Sequence, residues 1–320
     1  MRGAAACRAD RNAGVTDPTT RKQTLDPLTT FNSRRKLLFG IAYRMLGSVH
    51  DAEDIVQEAY IRWERVDHAT VDNPQAFLCT MVTRMSIDLL RSARKQRETY
   101  VGEWLPEPLA TEEVSAPENI ALAESLSTAF LLMLERLNPV ERAAFLLREV
   151  FDYDYPEVAD VIGKSEDNCR QIVRRAKERV QAPALRFEAR EDARDKLLNT
   201  FMSAVRDGEV KVLVNLLADD AALYSDHGGK ASAARRTIRG ADKIARFFIG
   251  VDTRFRPAEF SYRAIWLNGA PGIIVYSGLR PETAFSVEIE DGKIRAFYVT
   301  RNPDKLERLP GPVGTASPGD

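Results

Sequence analysis

Two stretches of this 320-residue chain carry cations at helical spacing. In the first, Arg84, Asp88, Arg91 and Lys95 recur at intervals of four, three and four, with Arg94 alongside. In the second, Arg170, Gln171, Arg174, Arg175 and Lys177 share the outer face of a predicted helix, with Arg179 one turn on. Cations in a row along a helix neutralise phosphates. Arginine and glutamine on a helix lying in a major groove pair with guanine and adenine edges. Nucleic-acid contact is therefore the chemistry these residues suit. Other chemistries find less support. The three cysteines (Cys7, Cys79, Cys169) lie far apart with no CxxC, and the three histidines (His50, His68, His227) are as scattered, so neither a disulfide framework nor a metal site is expected. A catalytic reading has only Asp226, His227 and Tyr224 as an acid–base group, without a second diagnostic pair. No catalytic residue, metal or cofactor is expected.

The first basic helix belongs to a helical segment, 27–98. Leu37, Leu38, Ile41, Ala42, Met45 and Leu46 repeat at helical spacing up to Gly47. From Asp51 a second helix places Ile55, Val56, Ala59, Tyr60 and Trp63 inward. Asn73-Pro74 opens a third, with Phe77, Leu78, Met81, Val82, Met85 and Leu89 as the expected buried stripe. Prolines and a glycine in 100–108 exclude a regular helix there, so 99–118 reads as a linker. Helices resume over 119–183. Tyr155 to Ile162, then Gly163, then a basic amphipathic helix capped by Ser165 make a helix-turn-helix candidate. Cys169 falls on its apolar side and reads as a small buried hydrophobe. After helices at 191–207 and 210–217 come a strand near 222–225, a turn at Asp226-His227-Gly228-Gly229-Lys230, a helix from Ala241 to Ile249, and four strand-like runs between 260 and 300. Asn268-Gly269 and Asp291-Gly292 are hairpin turns. That order predicts a separate α+β domain with an antiparallel meander.

Charge is segregated along the chain. The totals nearly cancel, 46 basic against 47 acidic residues, yet 51–72 holds seven acidic and two basic, 81–98 five basic and two acidic, and 164–179 six basic and three acidic. The linker 99–118 has five glutamates and no lysine or arginine. A hydrophobic fraction of 44% supports more than one core. No run of eighteen apolar residues predicts a membrane span, and 1–26 lacks the apolar stretch of a signal peptide. A cytoplasmic protein with disordered tails at 1–26 and 307–320 is expected.

Particular strings carry a family resemblance. Asp51-Ala52-Glu53-Asp54-Ile55-Val56-Gln57-Glu58-Ala59-Tyr60 resembles region 2.2 of bacterial sigma factors, and the string from Tyr155 to Ser165 resembles the start of region 4.2. The order and spacing resemble an extracytoplasmic-function (ECF, group IV) sigma factor. Trp104-Leu105-Pro106-Glu107-Pro108, the Asp226–Lys230 turn and Asn302-Pro303-Asp304-Lys305-Leu306 are similar to three signatures of a subgroup with a C-terminal SnoaL-like (NTF2-like) extension. One departure is His227, where the subgroup's turn reads Asp-Gly-Gly-Gly-Lys and a side chain restricts backbone freedom.

The resemblance implies a multidomain protein: a region 2 helical bundle (27–98), an acidic linker (99–118), a region 4 helix-turn-helix domain (119–183) and an α+β SnoaL-like cone (190–306). It implies docking of Asp54, Gln57, Glu58 and Ile61 on the β′ clamp helices of core RNA polymerase, with the β subunit as a further contact. Asn73, Arg84, Arg91, Arg94 and Lys95 would then meet the promoter −10 element, and Arg170, Gln171, Arg174, Arg175 and Lys177 the −35 element. The glutamate-bearing linker would thread a basic channel of the polymerase. Trp104, Pro106, Asp226, Gly228, Gly229, Lys230, Asn302, Pro303 and Asp304 would form a regulatory contact between linker and C-terminal domain, with a small ligand of the C-terminal pocket left open. Two readings follow: an initiation factor with a fused regulator, or a SnoaL-like enzyme or ligand-sensing regulator with an attached helix-turn-helix. The 51–63 helix separates them, since an ordinary repressor has no use for a polymerase-docking segment.

Overall fold

The computed structural model describes residues 26–98, 100–111, 125–180, 191–256 and 259–312. These divide into two compact units. The first takes 26–96, 125 and 130–180. The second takes 97–98, 100–111, 126–129 and the described residues from 191 on.

In the first unit, α1 (Pro27–Asn32) starts under Asp26, whose side chain accepts from the Thr29 amide. Helix α2 (Arg35–Leu46) stops at Gly47, which takes φ 65°, a conformation costly for other residues. Helix α3 (Val49–Trp63) begins two residues before the expected Asp51, because the Ser48 hydroxyl accepts the Asp51 amide at 3.1 Å and satisfies a first-turn donor. Trp63 is fully buried and its indole donates to the Pro27 carbonyl at 3.0 Å, tying α3 to α1. Asn73 caps α4 (Pro74–Glu98), accepting from the Ala76 amide at 3.1 Å.

The rest of this unit holds α5 (Thr128–Leu134, shared with the second unit at its first two residues), α6 (Pro139–Phe145), a π turn at Leu146–Val150, α7 (Tyr155–Ile162) and α8 (Glu166–Arg179). A capping box starts α6: Asn138 accepts from the Val140 and Glu141 amides, and Glu141 accepts from the Asn138 amide. Gly163 at φ 67° ends α7, and Ser165 caps α8. The helix-turn-helix expected from the sequence is thus formed.

In the second unit, α9 (Glu191–Arg206), α10 (Val210–Leu216) and α11 (Ala241–Phe255) cover one face of a seven-stranded sheet. Its strands are β1 (Ala110–Thr111), β2 (Leu217–Asp226), β3 (Ile238–Arg239), β4 (Phe260–Leu267), β5 (Ala270–Ser277), β6 (Arg280–Glu290) and β7 (Lys293–Thr300), in the order β1-β4-β5-β6-β7-β2-β3. The helix-covered face buries Phe201, Leu213, Leu223, Ile244, Phe285 and Phe297. This is the α+β cone. The sheet is not a pure antiparallel meander: β2 and β7 pair in parallel, because the chain crosses by α11 and returns through β4–β6 to lie beside its first long strand.

The opposite face buries Leu267, Ile274, Tyr276 and Ala284 against Leu306 and Leu309. Tyr276 donates to the Pro310 carbonyl at 2.6 Å and Arg263 to Gly311 at 3.1 Å. The disordered tail expected from 307 is therefore corrected. Residues 307–312 continue the fold because Leu309 has an apolar site to fill, while 313–320 and the tail 1–25 lie outside the described residues. Among the described residues no helix is long and apolar enough to cross a membrane, and no group of His, Cys, Asp or Glu is arranged to hold a metal.

Candidate functional site: two basic helices and a docked linker

Along α3, Asp54, Gln57 and Ile61 are exposed and Glu58 is half-buried, one acidic face with an apolar edge. The opposite side buries Ile55, Val56 and Ala59. His50 and Arg62 flank the face, 3.5 Å from Asp54 and 2.8 Å from Glu58.

On α4 the expected −10 residues separate. Asn73 is committed to its cap. Arg91 is exposed and pairs with Asp88 at 3.2 Å. Arg84 donates from Nε to the Val161 carbonyl at 2.9 Å and from Nη2 to Asp160 at 2.7 Å, both in the last turn of α7. The side chains of Arg94 and Lys95 lie outside the described residues.

On α8, Cys169, Val173 and Ala176 are buried, whereas Arg170, Gln171, Arg174 and Arg175 form an exposed face. Burial pushes the Cys169 thiol up, which keeps it in its neutral, unreactive form. Arg170 lies over the Tyr155 ring at 4.3 Å, which orients its guanidinium. Lys177 pairs with Glu149 at 2.8 Å, and Arg179 contacts both Glu141 carboxylate oxygens at 2.7 Å. These two cations hold α8 against its own domain.

The linker, the Asp226–Lys230 turn and the 302–306 segment come together in the second unit. Asp226 ends β2 with a carboxylate that is 0% exposed. Its Oδ1 accepts from the Tyr100 hydroxyl at 2.5 Å; its Oδ2 accepts from the Leu105 amide at 2.9 Å and from Lys305 Nζ at 2.7 Å. Lys305 also donates to the Leu105 carbonyl, and its ammonium lies 4.4 Å from the Trp104 ring centroid and 5.2 Å from that of Tyr100. A buried carboxylate is tolerable only when paired and hydrogen-bonded, and here a linker amide, a linker hydroxyl and a tail ammonium supply that. Burial, reinforced by the Asp226 carboxylate, pushes the Tyr100 phenol well above its ordinary value, so it stays a donor.

Surrounding contacts lock the same junction. Asn302 donates to the Tyr100 oxygen at 2.9 Å and accepts from the Asp304 amide, and Lys230 pairs with Asp304. Gly228, at φ 55°, lies so close that a Cβ would meet Asn302 Nδ2 at 2.6 Å. Gly229 faces Val101. Pro106 is buried, and Leu109 and Asn268 exchange further bonds beside the β1–β4 pairing. His227 is not among the residues with positive φ, so this position of the turn needs no glycine. Its Nδ1 accepts the Gly229 amide at 3.0 Å and its ring stands over Gly102. Trp104, Asp226 and Asn302 were expected at this contact; Leu105 and Lys305, from the same strings, and Tyr100, outside them, carry equal parts of the junction. Tyr100 and Leu105 are large apolar side chains in a proline-interrupted stretch, and that is the sequence signal that the stretch packs against a partner.

Comparison with known proteins now decides the family. The chain matches models of Sigma-70 region 2 over residues 30–96 and of Sigma-70 region 4 over 127–180. It is 38% identical over 298 residues to the ECF RNA polymerase sigma factor SigJ of Mycobacterium tuberculosis, spanning 88% of this chain and 94% of that one. The chain is an ECF RNA polymerase sigma factor. The crystal structure of the M. tuberculosis ECF sigma factor SigJ agrees over 87% of this chain and 97% of the other, with a TM-score of 0.68 and 34% identity. The ferric citrate uptake sigma factor FecI of Escherichia coli is 32% identical over 140 residues, 42% of this chain. As an ECF sigma factor the protein serves transcription initiation, and its family binds core RNA polymerase and promoter DNA. Within that family the first unit holds regions 2 and 4, and the cone with its docked linker is the extension. The sigma factors are not an enzyme family.

Proposed function

We propose that this ECF sigma factor directs promoter recognition under control of its C-terminal cone, which acts by holding or releasing the linker between regions 2 and 4. The observation that carries this reading is the fully buried Asp226 carboxylate, whose partners come from the linker (Tyr100, Leu105) and the tail (Lys305) together. A linker fastened around a buried ion pair can be held or released, and any influence on that pair biases the spacing available to the two DNA-binding regions.

In the same reading Asp54, Gln57, Glu58 and Ile61 dock on the β′ clamp helices. Their exposed acidic face with an apolar edge suits a basic, partly apolar partner. Arg91, with Arg84, Arg94, Lys95 and the loop at Asn73, holds the −10 region, and Arg170, Gln171, Arg174 and Arg175 read the −35 element. Lys177 contributes charge close to the backbone. The cone is a regulator without chemistry of its own. Asp226, the expected acid–base candidate, is consumed by three donors, and His227 Nδ1 is engaged by the Gly229 amide. Run-off transcription with purified core polymerase tests this. Trp104→Ala and Asp226→Ala are expected to change output at least severalfold while core binding persists. Unchanged output from both would overturn regulation by the linker. A chain that fails to bind core at all would favour the enzyme or ligand-sensor alternative for the extension.

A further inference from the structure

We propose that three arginines clasp regions 2 and 4 together in the free factor, and that Arg84 gives up this clasp when it turns to promoter DNA. The contacts cross between the regions in both directions. Arg84, from α4 of region 2, donates to the Asp160 and Val161 carbonyls at the C-terminal end of α7, the first helix of the region 4 helix-turn-helix. Arg142, from α6 of region 4, donates at 2.7 Å to the Met45 carbonyl at the C-terminal end of α2 in region 2. Each helix end has carbonyls without intrahelical partners and the negative pole of its dipole, so a guanidinium is the matching cap. Arg44 of α2 donates to the Ser125 hydroxyl at 2.9 Å and lies 5.5 Å from the Phe151 ring centroid. Arg44 and Arg142 are each only 3% exposed, and Glu135 balances Arg142 at 2.9 Å.

This closed pairing conflicts with promoter engagement, and here the inference rests on the sigma-factor reading. Elements centred about 25 base pairs apart lie ~85 Å apart along the duplex at 3.4 Å per base pair. A guanidinium bonded to α7 cannot stay there while regions 2 and 4 occupy both elements. Arg84 thus has two mutually exclusive partners, the α7 carbonyls in the closed form and phosphate in the open one. Arg142 and Arg44 are buried and belong to no exposed basic stripe.

Inter-region distance in the full-length chain is the test. Spin labels at Arg65→Cys and Glu178→Cys, in a Cys7→Ser background, report it by pulsed electron resonance; Cys79 and Cys169 are buried. The free factor should give one short distance. Arg84→Gln removes two charge-assisted bonds and should shift the closed-to-open ratio by about tenfold. Arg84→Lys keeps the charge but not the planar fork that spans two carbonyls, and should open the pair nearly as far. Adding Glu135→Gln to Arg84→Gln, which leaves Arg142 unbalanced, should open it further. Core polymerase plus promoter should lengthen the distance in the unaltered chain by tens of ångströms. An unchanged distance in all three variants, with unchanged circular dichroism, overturns the clasp, as does a short distance persisting on bound promoter. Failure to bind core would count against the sigma-factor assignment instead, because the free-protein distances still decide the clasp.

Discussion

The two units hold charge in different ways. In the C-terminal unit, Asp226 and Lys305 form a closed ion pair walled by Trp104 and Tyr100. In the sigma unit, the exposed Arg84 caps a helix end and bonds to neutral carbonyls, while the buried Arg142 caps another with Glu135 beside it. The physical consequence differs. Removing one member of a buried ion pair strands the other charge, at a cost of about 3–5 kcal/mol. Removing an arginine from an exposed helix end leaves carbonyls that water can reach, at a cost of about 1 kcal/mol or less. The first arrangement is a fastening and the second an exchangeable contact, as suits a linker to be held and two DNA-binding regions to be separated.

The largest effect that would break this contrast is in the ion pair. Asp226→Ala should speed hydrogen exchange at the Leu105 amide by ~100-fold or more, since that amide loses its acceptor and Lys305 its counter-charge. The double change Asp226→Leu with Lys305→Met should recover much of the loss. Equal damage from single and double variants would show that packing, not charge, fastens the linker. Next comes Gly228→Ala, which needs φ 55° and brings a Cβ against Asn302. It should cost about 1–3 kcal/mol and expose the linker to limited proteolysis. Gly163→Ala, also at positive φ but with open space around it, should cost about 1 kcal/mol and leave linker cleavage unchanged. Comparable in size but confined to the sigma unit, Arg84→Ala should lower its unfolding midpoint by a few degrees, about 1 kcal/mol.

How much of this was legible in the sequence depended on distance along the chain. Local signals were sufficient for the helix-turn-helix: Gly163, Ser165 and the alternation of Cys169 and Val173 with arginines fix its turn and its faces. The hairpins at Asn268-Gly269 and Asp291-Gly292 were equally plain, because the left-handed backbone there depends on two adjacent residues. On α4 the period was right but the face was rotated. Phe77 is 38% exposed, while Cys79, Ile87 and Leu90 are buried. Periodicity gives a helix but not which neighbour it meets. The parallel β2–β7 pairing joins residues more than seventy apart, and no local pattern encodes it. The site divides likewise. The stripes on α3 and α8 are properties of one helix and were readable. The destination of Arg84 was not, since it depends on where α7 ends in space, and although Lys305 lies in a recognisable string, its partner Asp226 is 79 residues away, beyond any local pattern.

The smallest expected effect sharpens the comparison, because it concerns a half-buried carboxylate with no ammonium on it. Glu288 on β6 accepts from the Tyr298 hydroxyl at 3.0 Å, and Tyr298 stacks on Tyr224 across the β2–β7 pair. Burial raises the Glu288 carboxyl above its ordinary value, the Tyr298 hydrogen bond opposing. A group raised on folding takes up protons more readily in the native state. Its favourable contribution is complete below the unfolded-state value and is lost as pH rises through the folded-state value. At neutral pH the ionised Glu288 is therefore a small liability. Glu288→Gln keeps the acceptor for Tyr298 and removes the charge, so the variant should be slightly more stable than the parent at pH 7, and the gap should close as pH falls into the carboxylate range. Urea titrations at several pH values read this directly. A variant less stable at pH 7, or a gap independent of pH, would mean that Glu288 is held in its charged form by Arg295 nearby, and that this sheet face too is fastened by an ion pair, like the Asp226 junction.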